Sequence, residues 1–429
     1  MREMFYVGME NADMAIGCIK GGRFRDRLLS IFYNHFYVVS LLVMIPAFQP
    51  GSIDYLPMSS ALDFVYKSLK VIAILLMPLL LWSGRGCQRF TMSLGMLIAV
   101  LFLSSVMSGQ GVDRIVSNWL VCFSAVSLTR LSFSLNRSRD LGRVLLLITG
   151  TISLLNLVSI VMFPEGLYVT ERSGDGDCFF WGHRNTFYQI AFLSVATSQF
   201  LDSSSREGLS LRTVVLFVLG LLQTVLAFSM TSATALLCML LIYVLLAKTR
   251  FRKLISGASL SIVCVAFFFL VVVFRMQEIA APAFSAFGKD ATLTGRTYIW
   301  DEAFRMLTGC RVLIGYGASD RLIEVAGNWM SPFSHAHNEL LNILVTSGIL
   351  GVALYAVMLH ETFSSIGKMG NVTTRNVMLS LLSAFMVVGF TEKVTSTALF
   401  LILVMCIGSC CAEETRHFEE GLDPEDADN

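Results

Sequence analysis

The stretch SGASLSIVCVAFFFLVVVF, residues 256–274, decides the fold of this chain because it contains no charged residue. About 20 consecutive apolar residues suffice for a helix to cross the hydrocarbon core of a membrane. Similar runs recur along the sequence, and hydrophobic residues make up 55% of the chain, against 15% charged residues. An average soluble domain has about 25% charged residues. The sequence therefore predicts an all-α polytopic membrane protein.

The charge balance excludes one class of partner. The chain has 32 Lys and Arg against 31 Asp and Glu, a formal net charge of +1. A nucleic-acid-binding protein needs a basic surplus to neutralise phosphates, so we expect no nucleic-acid partner. The first thirty residues are basic but lack an apolar run, so we expect no cleavable signal peptide.

Apolar runs separated by polar connections indicate about twelve transmembrane helices. They lie at residues 31–48, 66–82, 92–107, 115–131, 144–163, 186–201, 213–228, 232–247, 254–274, 338–359, 376–390 and 395–409. Basic residues collect in alternate connections, which the positive-inside rule assigns to the cytoplasm. We therefore expect both termini in the cytoplasm, with a cytoplasmic segment at 1–30, a transmembrane domain at 31–411 and an acidic cytoplasmic tail at 412–429.

Two connections on the opposite, outer side are long. The first covers residues 164–185, and the second, before the tenth helix, covers residues 275–337. Long loops in a compact protein are usually functional elements. The polar motifs of the chain lie in or beside these two loops, which directs the search for a site to the outer face.

The first loop ends in GHRN, which places His183, Arg184 and Asn185 at the start of an entering helix. Asn185 is a plausible N-cap residue. The free backbone N–H groups and positive dipole of a helix N-terminus attract anions, and the guanidinium of Arg184 fits a phosphate. Alternatively, these side chains only cap the helix and extend to the membrane interface.

The second loop contains LTGRTYIWDEAFRML, which predicts an amphipathic helix. Arg296 lies at its start and Arg305 near its end, and Arg311 follows. Next comes LIGYGASD, in which Tyr316 lies between two glycines that permit a tight bend. The glycine pair does not continue into a dinucleotide-binding fingerprint.

The stretch SHAHNELLN opens the tenth helix, with His335, His337 and Asn338 in the expected first turn and Asn342 one turn below. Polar groups at this depth are costly unless they bind something or bond to neighbouring helices. The His-Ala-His pair supplies at most two metal ligands, and no third ligand is evident nearby in the sequence. We therefore predict no metal site.

Cys178 and Cys310 lie in the two outer loops, beside these motifs. Disulfides form in oxidising, extracytoplasmic compartments. The two cysteines could form a bridge that joins the loops, or they could be unrelated buried thiols.

The order of these motifs resembles the O-antigen ligase/polymerase family of bacterial membrane glycosyltransferases. His337-Asn338, nine residues, Gly348, two residues and Gly351 resemble the histidine signature of that family. Members of the family often have an arginine near the turn at 229–232, where this chain has Ser229, Thr231 and Ser232.

The resemblance implies a GT-C-like fold in the bacterial cytoplasmic membrane and a transfer that needs no metal and no cofactor. An undecaprenyl-pyrophosphate-linked oligosaccharide would donate a glycan to a hydroxyl of a glycan or lipid-linked acceptor. Arg184 and Arg296 would hold the pyrophosphate, and His337 would act on the acceptor hydroxyl. The remaining substrate-binding candidates are His183, Asn185, Arg305, Arg311, His335, Asn338 and Tyr316. Membrane lipids, a chain-length regulator and a flippase of the same pathway are implied partners.

Three functions remain open at this stage. The second outer loop mixes basic residues with at least as many acids, which favours a polymerase of O-antigen, capsule or exopolysaccharide repeats over a ligase that accepts a phosphorylated lipid A core. A transporter or flippase of lipid-linked glycan would also fit about twelve spans. However, transporters usually place ionisable coupling residues within their spans, and few occur there in this sequence.

Overall fold

The computed structural model describes residues 23–83, 86–170, 173–203, 208–248, 255–276, 296–319, 323, 333 and 335–419. The helices, in chain order, are α1 Arg23–Asn34, α2 Phe36–Ala47, α3 Ser59–Ser83, α4 Gln88–Ser108, α5 Val112–Ser134, α6 Ser138–Met162, α7 Phe187–Asp202, α8 Leu211–Leu226, α9 Met230–Ala247, α10 Gly257–Val273, α11 Arg296–Met306, α12 Arg311–Ile314, α13 Glu339–Gly367, α14 Val372–Val388 and α15 Thr397–Glu419. Two short antiparallel strands, β1 Tyr168–Thr170 and β2 Ser173–Cys178, form a hairpin in the first long loop.

The prediction of an all-α polytopic membrane protein is confirmed. A helix covers the centre of every predicted span. Within the described ranges, six helices are long and apolar enough to cross a membrane, or up to seven if the bent pair α1 and α2 counts as one span. The other apolar helices are shorter, so the number of about twelve spans stays a prediction.

Helix α15 is the centre of the bundle. Its side chains from Ala398 to Ile407 are all buried, and it packs against α5, α7 and α13. An apolar helix that is hydrophobic on every face is typical of a position surrounded by other helices. By contrast, α3 is mostly exposed at the periphery, where lipid would cover it.

The glycines of the histidine signature are explained by a break in α13. Gly348 has φ 65°, outside helical geometry, so the carbonyls of Val345 and Thr346 are released from the helix. They accept hydrogen bonds from the backbone N–H groups of Tyr316 (2.8 Å) and Gly317 (2.7 Å). The segment after α12 thereby satisfies the polar groups that the break exposes, as a buried backbone requires.

We expect Gly348→Ala to destabilise the fold by about 3 kcal/mol or more, because a non-glycine residue is strained at this φ and its Cβ would overlap the backbone of Leu313. Thermal unfolding of the detergent-purified chain measures the effect. Gly367→Ala is the matched control, since nothing lies within 4 Å of a Cβ at this helical glycine. Equal melting temperatures for the two variants would contradict this explanation of the break.

Parts of the two long loops form regular secondary structure. The predicted amphipathic helix is confirmed as α11, whose buried face comprises Thr297, Ile299, Trp300 and Ala303. Tyr298, in the same helix, is exposed. Much of the second loop, at 277–295 and around 320–334, lies outside the described residues.

Helices extend into both of the predicted terminal segments. Helix α1 begins at Arg23, within the predicted N-terminal segment 1–30, and residues 1–22 lie outside the described residues. Helix α15 continues to Glu419, so the first part of the predicted tail is helical. Residues 420–429 lie outside the described part of the chain.

Candidate active site

Three charged or ionisable side chains meet where α11 and α13 begin. The carboxylate of Glu392 lies in the connection between α14 and α15. One of its oxygens is 3.1 Å from Nδ1 of His337, and the other accepts a hydrogen bond of 2.9 Å from the guanidinium of Arg296. All three side chains are largely buried, with 13–25% exposed. We call His337, Glu392 and Arg296 the central triad.

This geometry determines how the imidazole of His337 can act. A carboxylate accepts hydrogen bonds, so Nδ1 of His337 carries the proton that is shared with Glu392. The lone pair of the neutral ring is then on Nε2. A carboxylate that fixes the tautomer of a histidine and stabilises its protonated form is a recurring arrangement for general-base catalysis.

His335 adds a second imidazole beside the central triad. Its ring centroid lies 4.2 Å from that of His337, and its Nε2 lies 3.8 Å from the Glu392 carboxylate. Burial lowers the pKa of His335 to about 4, although the bond to Glu392 opposes this shift. His335 is therefore uncharged near neutral pH.

Glu392 is held in its ionised form. Burial alone would raise its pKa, but the neighbouring imidazoles of His335 and His337 and the charge of Arg296 together bring the pKa well below its ordinary value. The carboxylate is consequently charged between about pH 5 and pH 8.

The first turn of α13 fixes the connection that carries Glu392. Asn338 caps the helix by accepting from the N–H of Leu341 (3.0 Å), and its amide donates to the carbonyl of Phe390 (3.1 Å). The Glu339 carboxylate accepts from the N–H of Val394 (2.7 Å) and bonds to Thr395. Residues on both sides of Glu392 are thus bonded to α13.

The backbone at His337 is constrained. Its φ of 47° lies in the left-handed region, which a histidine seldom adopts. Beside it, the carbonyl of Ala336 accepts a hydrogen bond of 3.0 Å from the indole of Trp300, in α11. Unusual backbone geometry that the surrounding structure enforces is common at functional sites. The same contact fixes α11, and hence Arg296, against the segment that carries His337.

The cluster predicted from the GHRN motif, around Arg184, lies at the start of α9. The guanidinium of Arg184 is 3.4 Å from the Ala227 carbonyl, and the Arg184 carbonyl accepts from the hydroxyl of Ser232 (2.8 Å). Ser229 donates to the Asn185 side chain at 3.4 Å. Ser229 and Ser232 therefore position the Arg184 segment.

The predicted N-cap at this cluster was wrong. Asn185 lies within a short 3-10 turn, and His183 caps that turn by accepting from the N–H of Asn185 at 3.2 Å. Helix α7 then begins at Phe187. The helix begins later than predicted because the capping acceptor is the imidazole of His183 and not the side-chain amide of Asn185. Helix α13 likewise begins at Glu339, so His335 and His337 precede it rather than lie in its first turn.

The two clusters belong to the same end of the bundle. Helix α14, whose last residues lead to Glu392, packs against both α7 and α9. The N-terminal ends of α7 and α9 carry the Arg184 cluster. Because successive helices run antiparallel through short connections, these ends lie on one side of the bundle.

Three other candidates contact different partners. Arg305 is 72% exposed and pairs with Glu302 on its own helix at 2.8 Å. Arg311 donates to the Ser108 hydroxyl (2.9 Å) and the Met107 carbonyl (3.1 Å) at the end of α4. The Tyr316 hydroxyl donates to Met306 at 2.7 Å. Arg311 thus joins α12 to α4, and its positive charge also stabilises the negative C-terminal end of α4. Tyr316 joins the segment after α12 to the end of α11.

The cysteine bridge that the sequence suggested is absent from the structure. Cys178 is buried in the β hairpin, where its carbonyl accepts from the N–H of Leu167 at 2.7 Å. Cys310 is exposed at the start of α12. Neither cysteine is in a disulfide. Each belongs to a separate local element of its own loop.

His335, His337 and Glu392 could also hold a metal ion. Their donor atoms all lie within 4.8 Å of one another. Two imidazoles and a carboxylate are a common zinc-binding set. Glu392 is the third donor that was not evident from the sequence around the His-Ala-His pair. In the structure, Nδ1 of His337 bonds to the Glu392 carboxylate in the central triad, and Nε2 of His335 lies 3.8 Å from the same carboxylate.

An apolar groove ends beside the central triad. It lies between α10, α13 and α14 and has a volume of about 980 Å³. Asn338, Glu339 and Phe390 line one end, and His360 and Phe363 line the other. The Phe390 ring stacks on Phe267 of α10 with centroids 3.9 Å apart. The groove therefore follows most of the length of α13 to the site.

Residues 215–356 match the family model described as O-antigen ligase. This segment of the chain is similar to the O-antigen ligase family. The exopolysaccharide production protein ExoQ of Rhizobium meliloti (strain 1021) is 32% identical over 87 residues, which cover 18% of this chain and 20% of ExoQ. No solved structure matches the chain. The family resemblance drawn from the sequence is thereby confirmed.

The segment that matches the O-antigen ligase model contains only part of the candidate site. Arg296, His335 and His337 lie within the matched residues, whereas Arg184 precedes them and Glu392 follows them. The two connections that complete the site therefore flank the matched segment in the sequence.

Proposed function

We propose that this protein is a glycosyltransferase of the bacterial cytoplasmic membrane that joins glycan repeat units on the outer face. It transfers a glycan from undecaprenyl pyrophosphate to a hydroxyl of an acceptor glycan, and both of its termini lie in the cytoplasm. The observation that carries the proposal is the central triad at the end of a long apolar groove.

In the proposed reaction, His337 is the general base. Nε2 accepts the proton of the acceptor hydroxyl while that oxygen attacks the anomeric carbon of the donor sugar. The bond between the anomeric carbon and the diphosphate oxygen breaks, and lipid diphosphate leaves with the bonding electrons. Glu392 stabilises the positive charge that develops on His337.

Arg296 provides a cation for the leaving diphosphate. One of its guanidinium nitrogens bonds to Glu392. A guanidinium has five N–H donors, so others remain for phosphate oxygens. Arg184 is assigned the same role from the neighbouring cluster, and Asn338, already bonded to Phe390, positions the segment that carries His337.

The apolar groove fits the lipid part of the donor. Its lining consists mostly of Ala, Val, Ile, Leu and Phe side chains from three helices. A polyprenyl chain in this groove would be removed from water, and its diphosphate would lie beside Asn338 and the central triad. Anchoring the lipid in this way brings the reacting groups together, which accelerates transfer.

We expect Ala356→Trp, which fills the groove, to raise the KM for a long polyprenyl diphosphate donor by about 10-fold, since burial of each CH₂ contributes about 0.8 kcal/mol. A donor with a short prenyl chain should be affected much less. Steady-state transfer in proteoliposomes measures both. Ala99→Trp, on the exposed face of α4, is the matched control. Equal effects on both donors would contradict this placement of the lipid.

The choice of a polymerase over a ligase rests on two observations. The second outer loop mixes cations with acids, and ExoQ is named for exopolysaccharide production. A capsule or exopolysaccharide polymer is therefore a suitable product class. A ligase acting on lipid A core remains the second candidate because the matching family model is described as O-antigen ligase.

We expect transfer to need no metal, because Nδ1 of His337 is bonded to Glu392 and Nε2 of His337 is assigned to base catalysis. EDTA should leave the rate of transfer by purified protein unchanged within about 2-fold, and added Zn²⁺ should lower it by occupying His337. The transfer assay with and without chelator measures this. Loss of activity with EDTA and recovery with Zn²⁺ or Mg²⁺ would contradict it.

The glycan profile of cells that lack this chain tests the proposed function. A polymerase predicts loss of surface polymer while single lipid-linked repeat units accumulate on the outer face. Long lipid-linked chains would indicate a ligase instead. Single repeat units confined to the cytoplasmic leaflet would indicate a flippase and overturn the proposal.

A further inference from the structure

A second cavity lies next to the central triad, and it is polar and positively charged. Its volume is about 270 Å³, and it is bounded by α4, α5, the first turns of α13 and the start of α15. Among the described residues that line it, the charged ones are Arg114 and Lys393, and both are cations. None of the roles proposed above uses either side chain.

The two cations make this cavity favourable for an anion. The protein packed around Lys393 lowers its pKa, Arg114 lowers it further, and the Glu339 carboxylate opposes the shift. Glu339 does not line the cavity, and its oxygens bond to Val394 and Thr395. Lys393 itself remains accessible to water. A carboxylate placed between the two cations would reduce their mutual repulsion and form charge-assisted hydrogen bonds.

The rest of the lining suits a sugar ring. Asn118, Asn342 and Thr346 supply amides and a hydroxyl. Trp119 adds an aromatic ring, which packs against Phe400 with centroids 5.9 Å apart. Sites for polar small molecules typically combine aromatic walls with a few directed hydrogen-bonding groups. The volume also exceeds what a single phosphate group requires.

The cavity shares a wall with the central triad. Lys393 directly follows Glu392 in the chain. Asn342 lies one turn into α13, and its side-chain oxygen is 3.4 Å from the N–H of Ala336, between His335 and His337. A sugar in the cavity would therefore be adjacent to the base that acts on the acceptor hydroxyl.

We propose that this cavity binds an acidic sugar of the glycan, with its carboxylate between Arg114 and Lys393 and its ring beside Trp119. The proposal rests on the proposed function, because it assigns a substrate class to that same site. It makes a uronic acid, or another sugar bearing a carboxylate, a determinant of which glycan is accepted.

The experiment is ligand-observed saturation-transfer NMR on the full chain in lipid nanodiscs, with methyl glucuronide and methyl glucoside as probes. We expect methyl glucuronide to bind at least about 10-fold more tightly than the neutral glucoside. The reason is that a charge-assisted hydrogen bond between its carboxylate and the two cations contributes about this much to the affinity. Lys393→Gln should remove that difference. Lys393→Arg, which keeps the charge, should retain glucuronide binding within about 3-fold.

Equal binding of the two probes, or glucuronide binding that Lys393→Gln leaves unchanged, would overturn the proposal. Inorganic pyrophosphate that binds in a Lys393-dependent way while glucuronide does not would assign the cavity to the leaving diphosphate, and would also overturn it. The His337→Ala variant distinguishes a failure of this proposal from a failure of the proposed function. That variant should still bind glucuronide, whereas the proposed function fails if it still transfers glycan.

Discussion

Replacing His337 with alanine is expected to lower the rate of glycan transfer by about 10²- to 10⁴-fold, the contribution of a well-placed general base. The imidazole is bonded through Nδ1 to Glu392 at 3.1 Å, which leaves Nε2 to accept the proton of the acceptor hydroxyl. Alanine removes that acceptor. The loss should appear in kcat, with little change in the KM for the lipid-linked donor, because the apolar groove is unaltered.

The measurement is transfer of labelled glycan in proteoliposomes, with the amount of inserted protein matched. His35→Ala is the control, since His35 is an exposed histidine between α1 and α2, far along the chain from the site. A His337→Ala protein that is correctly folded and transfers glycan at more than a tenth of the normal rate would exclude His337 as the base.

The second large effect is expected for Glu392→Gln, a change of nearly constant shape. The amide cannot stabilise a protonated His337 and leaves Arg296 without its carboxylate, so we expect the rate to fall on the order of 10²-fold or more. Glu392 is a positioning residue, and it acts through His337. The loss should appear in kcat rather than in the KM for the lipid-linked donor, because the apolar groove is unaltered.

A purely structural role for Glu392 would lower the amount of folded protein and leave kcat unchanged. Glu392→Asp keeps the charge and should recover part of kcat. Glu302→Gln is the matched control, because Glu302 pairs with an arginine that is 72% exposed, and such surface pairs contribute little. If Glu392→Gln loses activity only through a lower melting temperature, with kcat of the folded protein unchanged, its proposed role is incorrect.

The helices could be predicted because the signal for a membrane span is local. An apolar run such as residues 256–274 has one stable form in lipid, and a helix indeed covers it as α10. The break at Gly348 could not be predicted in the same way. A glycine within an apolar run is compatible with a continuous helix, and only the approach of α12 reveals why this one departs from helical geometry.

Two of the three members of the central triad were predictable from the sequence. Arg296 and His337 lie in recognisable motifs, and in the structure both bond to the carboxylate of Glu392. Glu392 was missed because it lies 55 residues beyond His337, and spacing along the chain does not show which loops meet. A signal did exist, since GFTEKVTST at 389–397 places an acid and a base side by side in a short connection between two apolar helices.

The most direct test of glycan joining by this protein is reconstitution of the purified chain alone with undecaprenyl-pyrophosphate-linked repeat units. We expect a ladder of glycans that increases by one repeat unit per step, together with released lipid diphosphate, and no ladder with His337→Ala. Unchanged single repeat units in the presence of folded wild-type protein, whether or not they have moved to the other leaflet, would contradict the proposed reaction.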